Sequence, residues 1–418
     1  MNINSRRAEI IVVGDEILHG EVLEINSSFI ARALGIAGFN VWRESILPDD
    51  VEILSEEIAA ATRRSGIIIV SGGLGPTADD ISKDAVCAAL GLDTEYREEI
   101  LEAIAASFRK WGREMPDEYR DQARIPQGAE AIANSVGSAV GLHLGGEGFD
   151  LYLVPGVPAE MRAMITDSVL PSCGKGSWSG RLRLRTFDLS ESQVEERLAR
   201  FYTRGLPRWL SVISSPSGVD VYVERDKVTD EEIDIIGTHF GSYLYERGSK
   251  KLAEVVIGLL VQRGGTLAVA ESVTGGALTS EIVSVAGASR ILLEGLVTYS
   301  NGAKSSRLGV PAEEIDRSGA VSPHICVAMA RGALRTSGAD YALSTTGIAG
   351  PDGATPEKPV GLCYAGLAAG ERSYCRKLMV AGDREKVRIR TAAHSLDMLR
   401  LLLTGAADRL ESWLYDGS

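Results

Sequence analysis

Along the first 170 or so residues, short runs of consecutive apolar residues alternate with stretches in which apolar positions return every three or four residues. That alternation predicts buried strands, each followed by an amphipathic helix, which is α/β construction. Residues 8–14 (AEIIVVG), 39–47 and 66–70 (GIIIV) read as strands, with helices over 26–38, 51–64 and 79–90. Asn26 and the two serines after it offer side-chain oxygens for a helix N-cap. Two further strands are expected at 139–144 and 150–154, and a helix over 158–170, with Pro158 in its first turn, closes this part.

The pattern changes after the Gly- and Ser-rich stretch 171–180 (PSCGKGSWSG). Residues 183–189 alternate like a half-exposed strand, 191–202 read as a helix, 209–214 and 219–224 flank a Ser-Pro-Ser-Gly turn, and 231–245 read as a second helix. This small α+β unit carries no chemical motif and is expected to be a spacer or a dimerisation module. The α/β rhythm then returns, with strands at 266–271, 291–299, 340–345, 362–368 and 373–380. Ser322 followed by Pro323 starts a helix, and a long helix is expected from 384 to about 403. The two α/β segments share no repeat. The chain therefore divides into an N-terminal α/β/α domain over 1–170, a small central α+β domain over 181–247 and a C-terminal α/β/α domain over 248–412.

Composition narrows the functions. Of 418 residues, 44 are Lys or Arg and 57 are Asp or Glu, a formal net charge of −13, which speaks against direct nucleic-acid binding. No apolar run approaches the roughly 18 residues of a membrane span, and the first seven residues lack the apolar core of a secretory signal. The five cysteines are scattered, as expected of reduced thiols, and the five histidines are isolated, which disfavours a His/Cys zinc site. A cytoplasmic protein is expected.

Residues 71–80 (SGGLGPTADD) stand between a strand and a helix. Gly72, Gly73 and Gly75 let the backbone approach a ligand and turn N–H groups toward an anion. Asp79 and Asp80 would repel a bare phosphate, so a divalent cation between them and an oligophosphate is expected. Asp15 and Glu16 follow the first strand, at the same edge of the sheet.

In the last domain, 271–276 (ESVTGG) lies on another strand-to-helix turn, with hydroxyls at Ser272 and Thr274 and a glycine at Gly275. Such a turn can bind a phosphate or oxyanion, and can also expose a nucleophilic serine at Ser272. Residues 287–304 contain GASR and TYSNGAK, placing Ser289, Tyr299 and Lys304 in one stretch. A serine attacks an amide when a neutral base takes its proton, and a desolvated lysine is such a base. The loop from Thr345 and Thr346 to Gly361 is glycine-rich and long enough to wrap a ribose phosphate, and Arg384 at the start of the final helix offers positive charge.

GGLGPTADD, with GDEILHGEVLEIN (14–26) and VPGVPAEM (154–161), resembles the molybdopterin-binding-like domain of the CinA family of competence/damage-inducible proteins. The resemblance implies metal-dependent hydrolysis of ADP-ribose, with Glu16, Asp79 and Asp80 toward the metal and Asn26, Gly72, Gly73, Gly75 and Thr77 toward the ligand. The chain departs from that pattern at Glu24-Ile25 and in GSAVG (137–141). ESVTGG, GASR…TYSNGAK and TTGIAGPDG…KPVG together resemble the nicotinamide mononucleotide (NMN) deamidase domain of the same family. This implies hydrolysis of NMN to nicotinic acid mononucleotide and ammonia without a cofactor, with Ser289 as nucleophile, Lys304 as base and Tyr299 positioning. Ser272, Thr274, Gly275, Thr346, Gly347, Gly350, Asp352 and Arg384 would hold the substrate. The other expected partner is ADP-ribose, and a homodimer is expected. Two alternatives stand beside this: molybdopterin adenylyl or molybdate transfer by the first domain, and a competence-related accessory protein without deamidase activity.

Overall fold

A computed structural model of the chain describes residues 7–176, 179–202 and 205–416. They form two compact units, Met1–Gly180 and Arg181–Ser418.

The first unit contains strands β1 (Arg7–Val13), β2 (Asn40–Leu47), β3 (Ile67–Ser71), β4 (Thr94–Tyr96), β5 (Arg124–Pro126), β6 (Glu130–Ile132), β7 (Gly141–Gly146) and β8 (Phe149–Val154). Six form one sheet in the order β2-β1-β3-β8-β7-β6, and β4 pairs with β5 separately. The four strands β2, β1, β3 and β8 run parallel, while β7 and β6 are antiparallel. The solid apolar run of β1 is explained by its two covered faces. Ile11 and Val13 pack with Leu54 and Ile58 of one helix layer, and Ala8, Ile10 and Val12 pack with Ile30, Leu34 and Met161 of the other.

Several boundaries moved for local reasons. The helix Asn26–Ile36 is not capped by Asn26; the Glu24 carboxylate accepts the Ser27 N–H at 2.9 Å and the Ser27 hydroxyl. The helix after β3 runs Ser82–Leu90, three residues later than expected, because the residues before it are tied into the preceding loop. The helix from Pro158 ends at Met164 and continues through a π turn, Ile165–Val169, into Leu170–Cys173. The helix Glu98–Lys110 was not foreseen, although Ile100, Ile104 and Phe108 recur at helical spacing and are buried.

The second unit holds two sheets. β9 (Arg181–Thr186), β10 (Leu210–Ser215), β11 (Gly218–Glu224) and β12 (Leu244–Arg247) form an antiparallel sheet in the order β10-β11-β9-β12. Capping boxes at Ser190/Gln193 and Thr229/Glu232 start its helices Glu191–Ala199 and Asp230–Phe240. The second of these stops before the expected end, and the chain turns into β12. β13 (Leu267–Glu271), β14 (Leu292–Val297), β15 (Tyr341–Gly347), β16 (Leu362–Ala369) and β17 (Arg372–Met379) then form a sheet in the order β14-β13-β15-β16-β17. β14, β13 and β15 are parallel; β16 and β17 are antiparallel. The helix Arg384–Thr404 is buried along most of its length, in a core that also takes in Phe187 and Tyr245 from the middle segment. Among the described residues no helix is long and apolar enough to cross a membrane.

Candidate active site

Parallel strands end on one edge of a sheet, and the loops that follow them meet there. In the second unit that edge carries Ser272 after β13, Thr298 and Tyr299 after β14, and Thr345 and Thr346 near the end of β15. Ser272 is pinned by its N–H, which donates to the Thr345 carbonyl at 2.9 Å. Its hydroxyl lies 3.1 Å from Lys304 Nζ.

Lys304 sits on the helix Asn301–Leu308, started by Ser300 as side-chain cap. Its side chain is 1% exposed. Nζ has three partners: Ser272 Oγ, the Thr298 carbonyl at 3.0 Å and the Tyr299 carbonyl at 3.1 Å. No carboxylate is among them, and burial lowers the amine below its ordinary pKa of 10.5. A neutral amine has two N–H donors and one lone pair. With both carbonyls taking N–H donors, the lone pair is left to face the Ser272 hydroxyl.

The turn beneath the pair is organised by Glu271, which is fully buried. Its carboxylate accepts the N–H groups of Gly276 (2.8 Å), Leu278 (3.1 Å) and Thr279 (2.8 Å), and the Thr279 hydroxyl (2.5 Å). These are the helix-start donors that the sequence offered to a phosphate or oxyanion, and an internal anion already occupies them. Gly275, at φ 57°, and Gly276, at φ 96°, supply the left-handed turn that lets the carboxylate reach them.

The structure does not bring Ser289 to this site. Ser289 is exposed on the 3-10 turn Ala288–Arg290, ahead of β14. Leu292 of β14 pairs with Leu267 and Val297 with Glu271, so Ser289 lies at the strand-start edge. That is a strand length away, roughly 15 Å at about 3.3 Å per residue. Tyr299 is exposed, and its hydroxyl lies 3.3 Å from Arg384 Nη2. Arg384 also donates to the Gly350 carbonyl at 2.7 Å, joining Tyr299 to the loop after β15. Arg388, one turn further on, donates to the Thr274 carbonyl at 2.9 Å.

Other expected ligand residues have internal duties. The Thr274 and Thr345 hydroxyls bond each other at 2.7 Å, fully buried, and the Thr346 hydroxyl donates to the Ala320 carbonyl at 2.8 Å. Gly347 is required by packing, since a Cβ there would lie 2.4 Å from Cys363 Sγ. Asp352 is exposed on the loop. Glu271, Thr298 and Arg388 were missed from the sequence. A carboxylate four residues before a strand-to-helix glycine pair was the available sign for Glu271.

The first unit has its own cavity, about 360 Å³, at the matching edge. Gly72, Gly73, Gly75, Asp79, Asp80 and Glu16 all line it, as does Asp49, which follows β2 and was not foreseen. Asp80 is folded back on its loop, accepting the Gly75 N–H (2.6 Å), the Thr77 N–H (2.8 Å) and the Thr77 hydroxyl (2.5 Å). Thr77 thus serves the loop. Asn26 is buried, and its amide donates to the Gly156 carbonyl (2.7 Å) and Ser71 Oγ (3.3 Å). Desolvation, reinforced by the charges of Asp15, Glu16 and Asp79, raises the Asp49 pKa above its usual value. Among the described residues no three His, Cys, Asp or Glu side chains form a metal cage, so Glu16, Asp79 and Asp80 are not a closed ligand set. The carboxylates present fit a hydrated divalent cation of the Mg²⁺ type, which takes one or two carboxylates and completes its shell with water and substrate phosphate.

At Gly73 (φ 65°) an added Cβ would lie 2.5 Å from Ser82 Oγ, which itself donates to the Gly72 carbonyl at 2.8 Å. Gly73→Ala is expected to destabilise the first unit by about 1–3 kcal/mol. Urea unfolding followed by circular dichroism measures this, and an unchanged midpoint would refute it.

Comparison with known proteins agrees with this architecture. A family model described as the CinA C-terminal domain matches residues 249–403, and one described as a probable molybdopterin binding domain matches residues 9–175. A competence-damage inducible protein of Thermoanaerobacter pseudethanolicus is 38% identical over 410 residues, covering 96% of this chain and 99% of the relative. A CinA-like protein of Citrifermentans bemidjiense is 37% identical over 407 residues, covering 95% and 97%. The crystal structure of a CinA protein from Thermoplasma acidophilum is 33% identical, covers 39% of this chain and 96% of its own, and has a TM-score of 0.37. With relatives at this identity matched along nearly their whole length, the chain belongs to the CinA family of competence-damage inducible proteins.

Proposed function

We propose that the second unit hydrolyses the carboxamide of NMN to nicotinic acid mononucleotide and ammonia, with Ser272 as nucleophile and Lys304 as base. The observation that carries this is the hydrogen bond at 3.1 Å between a buried, carboxylate-free lysine amine and a serine hydroxyl at the strand-end edge. Ser272 Oγ attacks the amide carbon as its proton passes to Lys304 Nζ. Lys304 returns that proton to the amide nitrogen as the C–N bond breaks, and ammonia leaves. Water then attacks the Ser272 ester, giving its proton to Lys304, which hands it back to Ser272 Oγ as the acid departs. Arg384 and Arg388 supply positive charge for the nucleotide phosphate, and Tyr299 is a positioning hydroxyl tethered to Arg384. The chemistry needs two groups with matched protons, and the dyad supplies both.

A second reading concerns the first unit: hydrolysis of ADP-ribose with a divalent cation. It is favoured by the carboxylate-lined cavity, where the neighbouring charges help to raise the Asp49 pKa and a bare pyrophosphate would be repelled. One or two of the carboxylates Glu16, Asp49 and Asp79 would hold the hydrated cation, which supplies charge neutralisation for the pyrophosphate when bound.

One experiment tests both. Ammonia release is measured with NMN, nicotinamide and NAD as substrates, and AMP release with ADP-ribose, each with and without EDTA. Ammonia is expected from NMN in preference to the others and unaffected by EDTA, whereas ADP-ribose hydrolysis is expected to disappear with EDTA. No ammonia from NMN would overturn the deamidase; ADP-ribose hydrolysis that survives chelation would overturn the second reading.

A further inference from the structure

The helix Arg384–Thr404 has two working faces. Arg384 and Arg388 point to the dyad edge, while Lys386, Arg390 and His394 line a different cavity of about 520 Å³. Positions two apart on a helix stand about 200° apart around its axis, so the two sets occupy opposite faces. The other walls of this cavity come from β17 with Arg376 and Lys377, and from the middle segment around Asp188.

Its charges do not balance. Asp188 accepts from Arg376 and Arg409, both at 2.7 Å, and the fully buried Asp397 accepts from Arg400 at 2.6 Å and Arg409 at 3.2 Å. Arg390 adds a guanidinium that pairs with no carboxylate among the described residues; its Nη1 reaches only the Pro216 carbonyl, at 3.4 Å. Lys377 on β17 and Lys386 on the helix also line the cavity, and Glu191 is the remaining acid there. Two buried nitrogens on lining residues, Arg376 Nη1 and His394 Nδ1, have no hydrogen-bond partner among the described residues. His394 is 5% exposed, wedged edge-on against Phe187. Burial, together with the charges of Arg376, Arg390 and Arg409, pushes its pKa down to about 3 against the opposing pull of Asp188. Burial also lowers Arg390. A cavity of ligand size with surplus cations and an unmet guanidinium N–H on Arg376 is short of an anion. Leu189, Val219 and Leu378 give it an apolar wall that suits a ring.

We propose that this cavity binds a nucleoside monophosphate, its phosphate meeting Arg390, Lys386 and Arg376 and its ring lying on the apolar wall. The site is separate from both substrate sites.

Calorimetric titration of the full chain with AMP tests the site, with inorganic phosphate as a second probe. Lys386→Gln and Arg390→Gln, combined, remove two cations near the surface and leave the buried Asp188 and Asp397 pairs intact. AMP binding is expected to weaken at least tenfold in this double variant and to persist in Arg384→Gln, whose change lies on the other face. Inorganic phosphate is expected to compete with AMP but more weakly. Equal AMP affinity in wild type and double variant, or no AMP binding up to about 10 mM, overturns the site. Competition by phosphate as strong as that of AMP overturns the nucleoside part.

Discussion

Ser272→Ala is expected to lower kcat for NMN deamidation by about 10³-fold or more with little change in KM, equivalent to roughly 4 kcal/mol of transition-state stabilisation. In the proposed reaction the hydroxyl forms the bond to the amide carbon, and among the described residues no other hydroxyl is bonded to Lys304 Nζ. Ser289→Ala, at the opposite end of the strand, is expected to stay within about twofold of wild type, as an exposed residue remote from the reacting atoms should. Steady-state ammonia release from the two purified variants separates the serines. Near-normal turnover by Ser272→Ala would remove the dyad, and a collapse in Ser289→Ala would mean the reaction takes place elsewhere.

Lys304→Arg is expected to be inactive. A guanidinium stays charged at any pH compatible with folding and cannot accept the serine proton. In the wild type the active species is the neutral amine, so kcat/KM should be low at acid pH and rise through a single inflection below 10.5. Burial sets that direction, because the charged form is the one penalised and no carboxylate is bonded to it. The same shift has a stability consequence of fixed sign. Between the folded and unfolded pKa values the unfolded chain holds the extra proton, so this group makes stability rise with pH across that window. An active Lys304→Arg enzyme, or an inflection at or above 10.5, would exclude the lysine as base.

β1, β3 and β16 were legible as solid apolar runs and the other strands of both α/β sheets lie within two residues of their expected ends, except the three-residue β6, Glu130–Ile132, which was not foreseen because it is too short to set a pattern. β12 was absorbed into the helix before it, since 231–245 keeps helical spacing and only the turn at Gly241, with φ 54°, breaks it. The middle segment was expected to stand apart, yet Phe187 and Tyr245 belong to the same core as the final helix, a contact at long sequence separation that local pattern does not encode. The site was legible in its composition but not in its pairing. Ser289 and Lys304 were assigned from the family resemblance, which does not say which hydroxyl lies beside the amine. Ser289 precedes β14 and stands at the strand-start edge, whereas Ser272 follows β13 at the strand-end edge, where ligands gather in parallel sheets. Glu271 and Asp80 were harder, because whether a carboxylate faces a ligand or its own backbone depends on the turn that follows it.

The order of the chain also bears on its synthesis. Ser272 follows β13 and Lys304, 32 residues on, follows the neighbouring parallel strand β14. Arg384 reaches back 85 residues to Tyr299, and Arg388 reaches back 114 to Thr274. A nascent chain therefore holds both reactive side chains long before it holds the helix that fills the core and brings the phosphate-facing arginines. Until that helix has left the ribosome, the strand-end edge carries Ser272 and Lys304 without the two guanidiniums that bond Tyr299 and Thr274, so the arrangement is completed only when synthesis is nearly over.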